Sequence, residues 1–415
     1  MSEQHRLHPG MTLRVGIFFD GTGNNQCNLA VGGNGEGGSY GNALSNVALL
    51  HALYPTGPVG DQIFIKRYVP GVGTREGAAD SLYGQATGGG RTGVEARVAE
   101  VLAWLEGQQL ERSVSAPLAF DLFGFSRGAA AARHLANRLV EAQWSINFIG
   151  LFDTVAAIVE PLRGDFDPAD ARNGRLRLGL GPTIARQVVQ LVAADERRHN
   201  FPLVRSANDI VVPGVHADVG GGYQALMHEQ VQLCKPFSQR VAQAIPAERT
   251  AAYAQAATLL KASLAEPDAP PAQVLSWEEP VVGGAAQRFV ALKQVYATVQ
   301  REREVHGHLS RVYLSVMREF GMRGGVPFAA LGANPLHRLP EELLGISRKV
   351  HGFALGDCPR LQLTGEEHRL LRGRYVHTSA HWNALNGMRS SRLDWMYVHR
   401  PAQGGSRVVH ENPLG

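Results

Sequence analysis

Cysteine is scarce in this chain: Cys27, Cys234 and Cys358 are the only three among 415 residues. They are odd in number and far apart, so neither a disulfide framework nor a zinc-type spacing can be built from them, and reduced thiols are expected. Long apolar runs are missing too. No stretch of about 18 apolar residues could span a bilayer, and the opening Met1-Ser-Glu-Gln-His-Arg6 lacks the apolar core of a signal peptide. The expectation is a product made in the cytoplasm that is exported, if at all, by a route reading no N-terminal signal. Neither charge is in large excess, since 41 Lys and Arg face 37 Asp and Glu for a net +4. The basic residues are neither clustered nor interleaved with aromatics, which speaks against a nucleic-acid partner. What remains is 44% hydrophobic and 19% charged, an ordinary globular balance with length for one elaborated domain or two.

Periodicity in the first half alternates strands with helices. Leu13-Arg-Val-Gly-Ile-Phe-Phe19, Gln62–Val69, Leu118–Phe123 and Ile146–Phe152 read as buried strands. Helical spacing covers Asn42–Leu53, Val94–Leu105 and Ala129–Val140, with Gly-rich loops over 28–41 and 84–93. A polar, helical segment is expected before Asp209-Ile-Val-Val212. This alternation predicts an α/β fold with a mostly parallel central sheet and right-handed crossovers. Beyond residue 224 helical patterns dominate, as over Ala251–Leu264 and Ala285–Phe320, interrupted by Pro-rich stretches at 267–280 and 335–340. The expected organisation is a core over 1–223, a largely helical insertion or cap over 224–370, and a segment over 371–415 that returns to the core.

The chemistry concentrates at strand ends. An apolar strand runs into Gly124-Phe-Ser-Arg-Gly128, and an alanine-rich helix follows at once. In a strand–turn–helix of this kind the central serine is forced into a strained backbone, and flanking glycines are needed where a Cβ would strike neighbouring backbone. Other predicted strands end at Asp20, Asp153 and His216, which an open parallel sheet aligns along its carboxyl edge. Acyl transfer needs a hydroxyl nucleophile, a neutral imidazole to take its proton, and a carboxylate to fix the imidazole's tautomer. Ser126, Asp153 and His216 meet that need in the chain order of α/β-hydrolases. Asp218 is an alternative carboxylate and His377 an alternative base. Backbone N–H groups of Arg127 and of the loop at Gly21 and Thr22 are the expected oxyanion donors, with Asp20 bracing that loop. The same loop lacks the Gly-Lys-Ser/Thr ending of a phosphate-binding P-loop. Asp195-Glu196-Arg197-Arg198 is expected to be a helical salt-bridge cluster. No metal and no cofactor is called for.

Four blocks together are more specific than the serine motif alone. Phe18-Phe-Asp-Gly-Thr-Gly-Asn24, Gly124-Phe-Ser-Arg-Gly-Ala129, Gly150-Leu-Phe-Asp-Thr-Val155 and Pro213-Gly-Val-His-Ala-Asp-Val-Gly-Gly-Gly-Tyr223 resemble, in order, the α/β-hydrolase family of bacterial type VI secretion lipase effectors, family one. Tyr375-Val-His-Thr-Ser379 resembles a later block of that family. The resemblance implies a phospholipase that releases fatty acyl chains from membrane glycerophospholipids, injected into a competing bacterium and acting from its periplasm. It also implies a cognate immunity protein, and delivery on a type VI spike or an adaptor, since no fused delivery module is evident. Its Ser, Asp and His fall on Ser126, Asp153 and His216. A lipid substrate asks for an apolar channel, for which Val326–Leu331 and Leu343–Ile346 are candidates, helix-core packing being the alternative. Readings as an esterase or peptidase on a soluble substrate, or as a catalytically dead adaptor, stay open on residues alone.

Overall fold

A computed structural model describes residues 11–31, 38–108, 117–159, 166–265, 268–281, 291–332, 334–384 and 397–414. Residues 32–37 of the expected Gly-rich loop, 285–290 of the second long helix and the opening hexapeptide lie outside these.

The first strand, β1 (Thr12–Phe19), is buried at every position from Leu13 onward, as a strand covered on both faces must be. After the short α1 (Gln26–Val31), helix α2 (Asn46–Leu53) starts at Ser45, whose hydroxyl accepts the Ala48 N–H at 3.1 Å. There follow β2 (Gly57–Val59), β3 (Gln62–Val69), α3 (Leu82–Thr87), α4 (Val94–Gly107), β4 (Leu118–Phe125), α5 (Arg127–Glu141) and β5 (Ser145–Phe152). Next come β6 (Gln187–Ala193), β7 (Leu203–Val204), β8 (Asp209–Val212) and α6 (His216–Gly220). The central sheet has seven strands in the order β2-β3-β1-β4-β5-β6-β8. All neighbours are parallel except β2, which runs against β3. The fold is α/β, of the α/β-hydrolase type.

The polar segment expected to be helical contains β6 instead. Val188, Val189, Leu191 and Val192 supply β-branched and apolar bulk on both faces, and β6 becomes the partner of β5. Residues 82–87, overlapping the start of the second expected Gly-rich loop, form α3, capped by the Ser81 hydroxyl at its start and by left-handed Gly88 at its end.

Beyond residue 224 lie β9 (Met227–Gln232), β10 (Phe237–Ala242), α7 (Ala251–Leu264), β11 (Gln273–Pro280) and β12 (Leu292–Val305). They make a four-stranded antiparallel sheet in which β12 pairs with all three others, and α7 packs against it. The helix expected over 285–320 is therefore corrected: 292–305 is a strand, and only its last part is helical, as α8 (Leu309–Arg323). Val295, Ala297 and Val299 alternate on the buried face with period two, and β-branched Val and Thr favour the extended chain. Helices α9 (Glu341–Ala354) and α10 (Gly365–Leu370) follow, and β13 (Val409–His410) pairs in parallel with β7.

Two apolar layers hold the central sheet. Val15, Ile17 and Phe19 of β1 pack with Val98, Val101, Leu135 and Leu139 of α4 and α5 on one face. On the other, Phe18, Phe123 and Phe148 pack with Leu50 of α2 and with Val312, Val316 and Ile346 of α8 and α9. Helices α8 and α9 thus lie directly on the central sheet. Val326, Phe328, Leu343 and Ile346 are buried there, so the core-packing alternative holds for both apolar patches. Among the described residues no helix is long and apolar enough to cross a membrane.

Candidate functional site

Ser126 sits between the last residue of β4 and the first turn of α5 with φ 58° and ψ −127°, a backbone geometry that non-glycine residues rarely adopt. Its N–H donates to the Phe152 carbonyl at 3.1 Å, tying the turn to the end of β5. The flanking glycines are sterically required. A Cβ on Gly124 would stand 2.5 Å from the Gly128 carbonyl oxygen, and one on Gly128 would stand 2.3 Å from those of Phe19 and Asp20. The strand–elbow–helix read from the sequence is therefore present in the backbone.

Asp153 ends β5 in a left-handed conformation, φ 47°. Its carboxylate is wholly buried and saturated with donors. Oδ1 accepts the Ala193 N–H at 3.0 Å and Arg407 Nη1 at 2.7 Å; Oδ2 accepts Arg407 Nη2 at 2.8 Å and faces His216 Nδ1 at 2.5 Å. Burial alone would raise this carboxyl. The Arg407 guanidinium and the bond to His216 outweigh it and hold the group well below the usual carboxylate range. Nδ1 of His216 is thereby the protonated nitrogen, which leaves Nε2 as the basic one. Burial lowers the His216 pKa, and the bond to Asp153 offsets only part of that.

The imidazole is clamped between rings, with Phe125 at 4.7 Å and, edge-on, Phe201 at 4.8 Å. The Arg198 guanidinium lies 3.5 Å from the Phe201 centroid and is paired with Glu196 at 2.7 Å. Glu196 in turn accepts the backbone N–H of His216 at 3.2 Å and the Ser379 hydroxyl at 2.7 Å. Burial would raise the Glu196 carboxyl, but the Arg198 charge keeps it low. The Asp195–Arg198 run is a turn after β6 rather than a helical charge cluster, and its salt bridge spans two residues.

Ser126 and His216 both line one cavity of about 610 Å³, with Phe125, Val155, Phe201 and Val398 as apolar walls. His216 Nε2 has no hydrogen-bond partner, so a bond to Ser126 Oγ is not made in this structure. In free hydrolases such bonds are often long and tighten only around the substrate. Thr22 and Arg127 line the cavity as well. Gly21 does not, and its N–H donates to Asp20 Oδ1 at 2.7 Å, which takes it out of the expected oxyanion set. Asp20 braces this loop as expected, with Tyr68 donating to its other oxygen at 2.6 Å. The alternative residues pair with each other: His377 Nδ1 meets Asp218 Oδ1 at 2.6 Å. Asp218 Oδ2 also accepts the Val215 N–H at 3.0 Å, the turn-bracing role its position suggests. His377 lines a different cavity from Ser126. Among the described residues no group of three or more His, Cys, Asp or Glu could hold a metal ion.

No protein-family model matches the sequence, and no curated protein matches it. Solved structures do. The Tle1 effector determined bound to the VgrG spike of the type VI secretion system superposes with a TM-score of 0.75 at 26% identity, over 97% of this chain and 94% of that one. The chain is similar to the Tle1 effectors of type VI secretion along nearly its whole length. That likeness carries the resemblance read from the four sequence blocks through the region beyond residue 224, where sequence alone was loose. An uncharacterized Pseudomonas aeruginosa protein aligns at 21% identity over 87% of this chain and 52% of its own, with a TM-score of 0.43. A type II thioesterase of yersiniabactin biosynthesis aligns at 13% identity over 51% of this chain and 87% of its own, with a TM-score of 0.23.

Arg407 was not singled out in the sequence, and Glu196 was read there only as part of a helical salt-bridge run. Neither lies in a motif with an expected spacing. The one available signal was the Asp195–Arg198 run, which a helical salt-bridge reading absorbed.

Proposed function

We propose that this chain is a lipase effector of the type VI system acting as a serine hydrolase, with Ser126 as nucleophile, His216 as general base and acid, and Asp153 as its orienting carboxylate. The observation that carries this reading is the strained serine elbow opening on the same cavity as an imidazole whose Nδ1 is tied to a buried, ionised carboxylate. Nε2 of His216 takes the Ser126 proton as Oγ bonds to the acyl carbon, and the oxygen of the tetrahedral intermediate is received by the amides of Thr22 and Arg127. Nε2 then delivers that proton to the departing alcohol. Water, deprotonated by the same nitrogen, bonds to the acyl carbon; the Oγ–acyl bond then breaks, Nε2 returns the proton to Ser126 Oγ, and the fatty acid is freed.

The substrate in this proposal is a glycerophospholipid, for which the apolar walls of the cavity offer an acyl-chain berth. Delivery on a VgrG-type spike is inferred from the Tle1 complex. Action from the target's periplasm and neutralisation by an immunity protein rest on the family resemblance. The test is fatty-acid release from phospholipid vesicles, run beside covalent labelling with a fluorophosphonate. Wild type should release fatty acid and label at Ser126, and Ser126→Ala should lose on the order of a million-fold in turnover. Equal release by Ser126→Ala would overturn the reading; labelling together with hydrolysis of short soluble esters only would move the substrate away from lipid.

A further inference from the structure

The proposed reaction uses only the backbone N–H of Arg127, yet the residue's long cationic side chain also belongs to the Ser126 cavity. Nε donates to Thr22 Oγ1 at 3.0 Å and Nη2 donates to the Gln85 carbonyl. The guanidinium is thereby pinned between the loop after β1 and helix α3, beside the nucleophile. Its third nitrogen, Nη1, is buried and has no hydrogen-bond partner. Glycine at position 88 leaves it room, since a Cβ there would stand 3.1 Å from Nη1.

Charge balance singles this group out. Two arginines, Arg127 and Arg198, line the cavity, and no carboxylate does. Burial would lower the Arg198 pKa, but its partner Glu196 raises it. No such partner acts on Arg127. Burial pushes it down to about 10 with no acid to raise it, and it stays a cation at neutral pH. The lining imidazoles add no charge: burial lowers His216 despite Asp153, and burial with the Arg198 charge takes His399 down to about 3. Among the described residues that line the chamber, Arg127 therefore carries the one uncompensated charge. A partly buried cation without a counter-ion costs free energy, which an anionic group on the substrate would offset.

We propose that Arg127 is a specificity-determining residue whose guanidinium receives the phosphodiester anion of a glycerophospholipid while an acyl ester of the same molecule meets Ser126. The phosphate lies only a few bonds from the acyl esters on the glycerol backbone, a span that the side chain next to the nucleophile can bridge. Guanidinium N–H groups match phosphate oxygens in geometry, and the contact strengthens where bulk water is excluded. The inference rests on the serine-hydrolase reading and names the part of the substrate that the cavity recognises.

The test presents dioleoyl phosphatidylcholine and dioleoylglycerol together in neutral-detergent micelles, so that the ratio of their hydrolysis rates reads selectivity directly. Wild type is expected to prefer the phosphate-bearing ester about tenfold or more. Arg127→Gln loosens Thr22 and should slow both reactions. Beyond that common loss, the ratio should fall about ten- to a hundredfold, and Arg127→Lys, which keeps the charge without the fork, should recover part of it. A side chain that only held Thr22, or only served the oxyanion, would slow both esters by one factor and leave the ratio where it was. Fluorophosphonate labelling of Ser126 establishes that each variant is folded, and if neither is, the wild-type ratio decides. An unchanged ratio in a folded variant, or equal hydrolysis of the two esters by wild type, overturns the role of Arg127 and leaves the serine hydrolase standing. Hydrolysis of neither ester by wild type overturns the lipase reading, and this inference with it.

Discussion

Arg407 and Asp153, 254 positions apart in the chain, meet as a two-pronged ion pair, each terminal guanidinium nitrogen on its own carboxylate oxygen at 2.7 and 2.8 Å. Arg407 stands two residues before β13, and its Nε also donates to the Phe201 carbonyl at 2.7 Å, which fixes the guanidinium on Asp153. Removing one partner of a buried pair leaves the other uncompensated. Arg407→Gln is expected to lower unfolding stability by about 3–5 kcal/mol in denaturant titration.

That pair also fixes a pH dependence of stability. The Asp153 carboxyl is held below its ordinary 3.8, so its contribution is present above that value and lost as pH falls through the depressed one. Without Arg407 the carboxyl rises, and the acid-unfolding midpoint followed by circular dichroism should move to higher pH. An unmoved midpoint would mean that burial and His216 alone set the carboxylate.

Much of this was legible beforehand. Strand ends at Asp20, Ser126 and Asp153 could be read because buried parallel strands are short apolar runs, and each break in polarity marks the carboxyl edge; His216, expected at a strand end, instead opens α6 four residues after β8. The elbow was legible because Gly124 and Gly128 admit no side chain. Strand β6 was not, since Gln187 and Gln190 interrupt its apolar pattern; Gln190 is buried and donates to the Val204 carbonyl and Asp209 instead of facing solvent. Strand β12 was masked by Arg and Glu residues at 301–304, a composition helices share. Arg407 had no signal: a lone arginine far along the chain acquires meaning only when folding brings it to Asp153.

Activity should follow the protonation of His216. Burial pushes its pKa below the ordinary 6.5, so the ring stays neutral, and able to accept a proton, to lower pH than a free imidazole. The acid limb of kcat/KM is expected to have its midpoint below 6.5. Arg198→Gln removes the positive charge that helps to lower the imidazole and should shift that limb upward, an effect that a purely architectural arginine would not produce.

Asp153→Asn tests orientation apart from charge balance. An amide cannot accept from Arg407 and also hold Nδ1 of His216 as the proton-bearing nitrogen in the way the carboxylate does. Turnover is expected to fall on the order of ten-thousand-fold, as when a triad carboxylate is amidated elsewhere. Ester hydrolysis followed to saturation should place the loss in kcat rather than KM.

Gly128→Ala puts a methyl group 2.3 Å from the carbonyl oxygens of Phe19 and Asp20, where backbone and not a flexible side chain must give way. A loss of about 1–3 kcal/mol in stability is expected from overpacking of this kind. Fluorophosphonate labelling of Ser126 should slow with it, because the α5 start that presents the hydroxyl is displaced. Full labelling speed in the folded variant would show that the elbow tolerates movement of its helix.

Tyr223, which lines the serine chamber, stacks at 3.7 Å on His377, which lines a separate chamber, so the two rings form a party wall. Trimming Tyr223 to enlarge the first would breach the second and strip the support from His377. Any redesign of what the serine chamber admits therefore has to treat the two compartments as one piece of architecture.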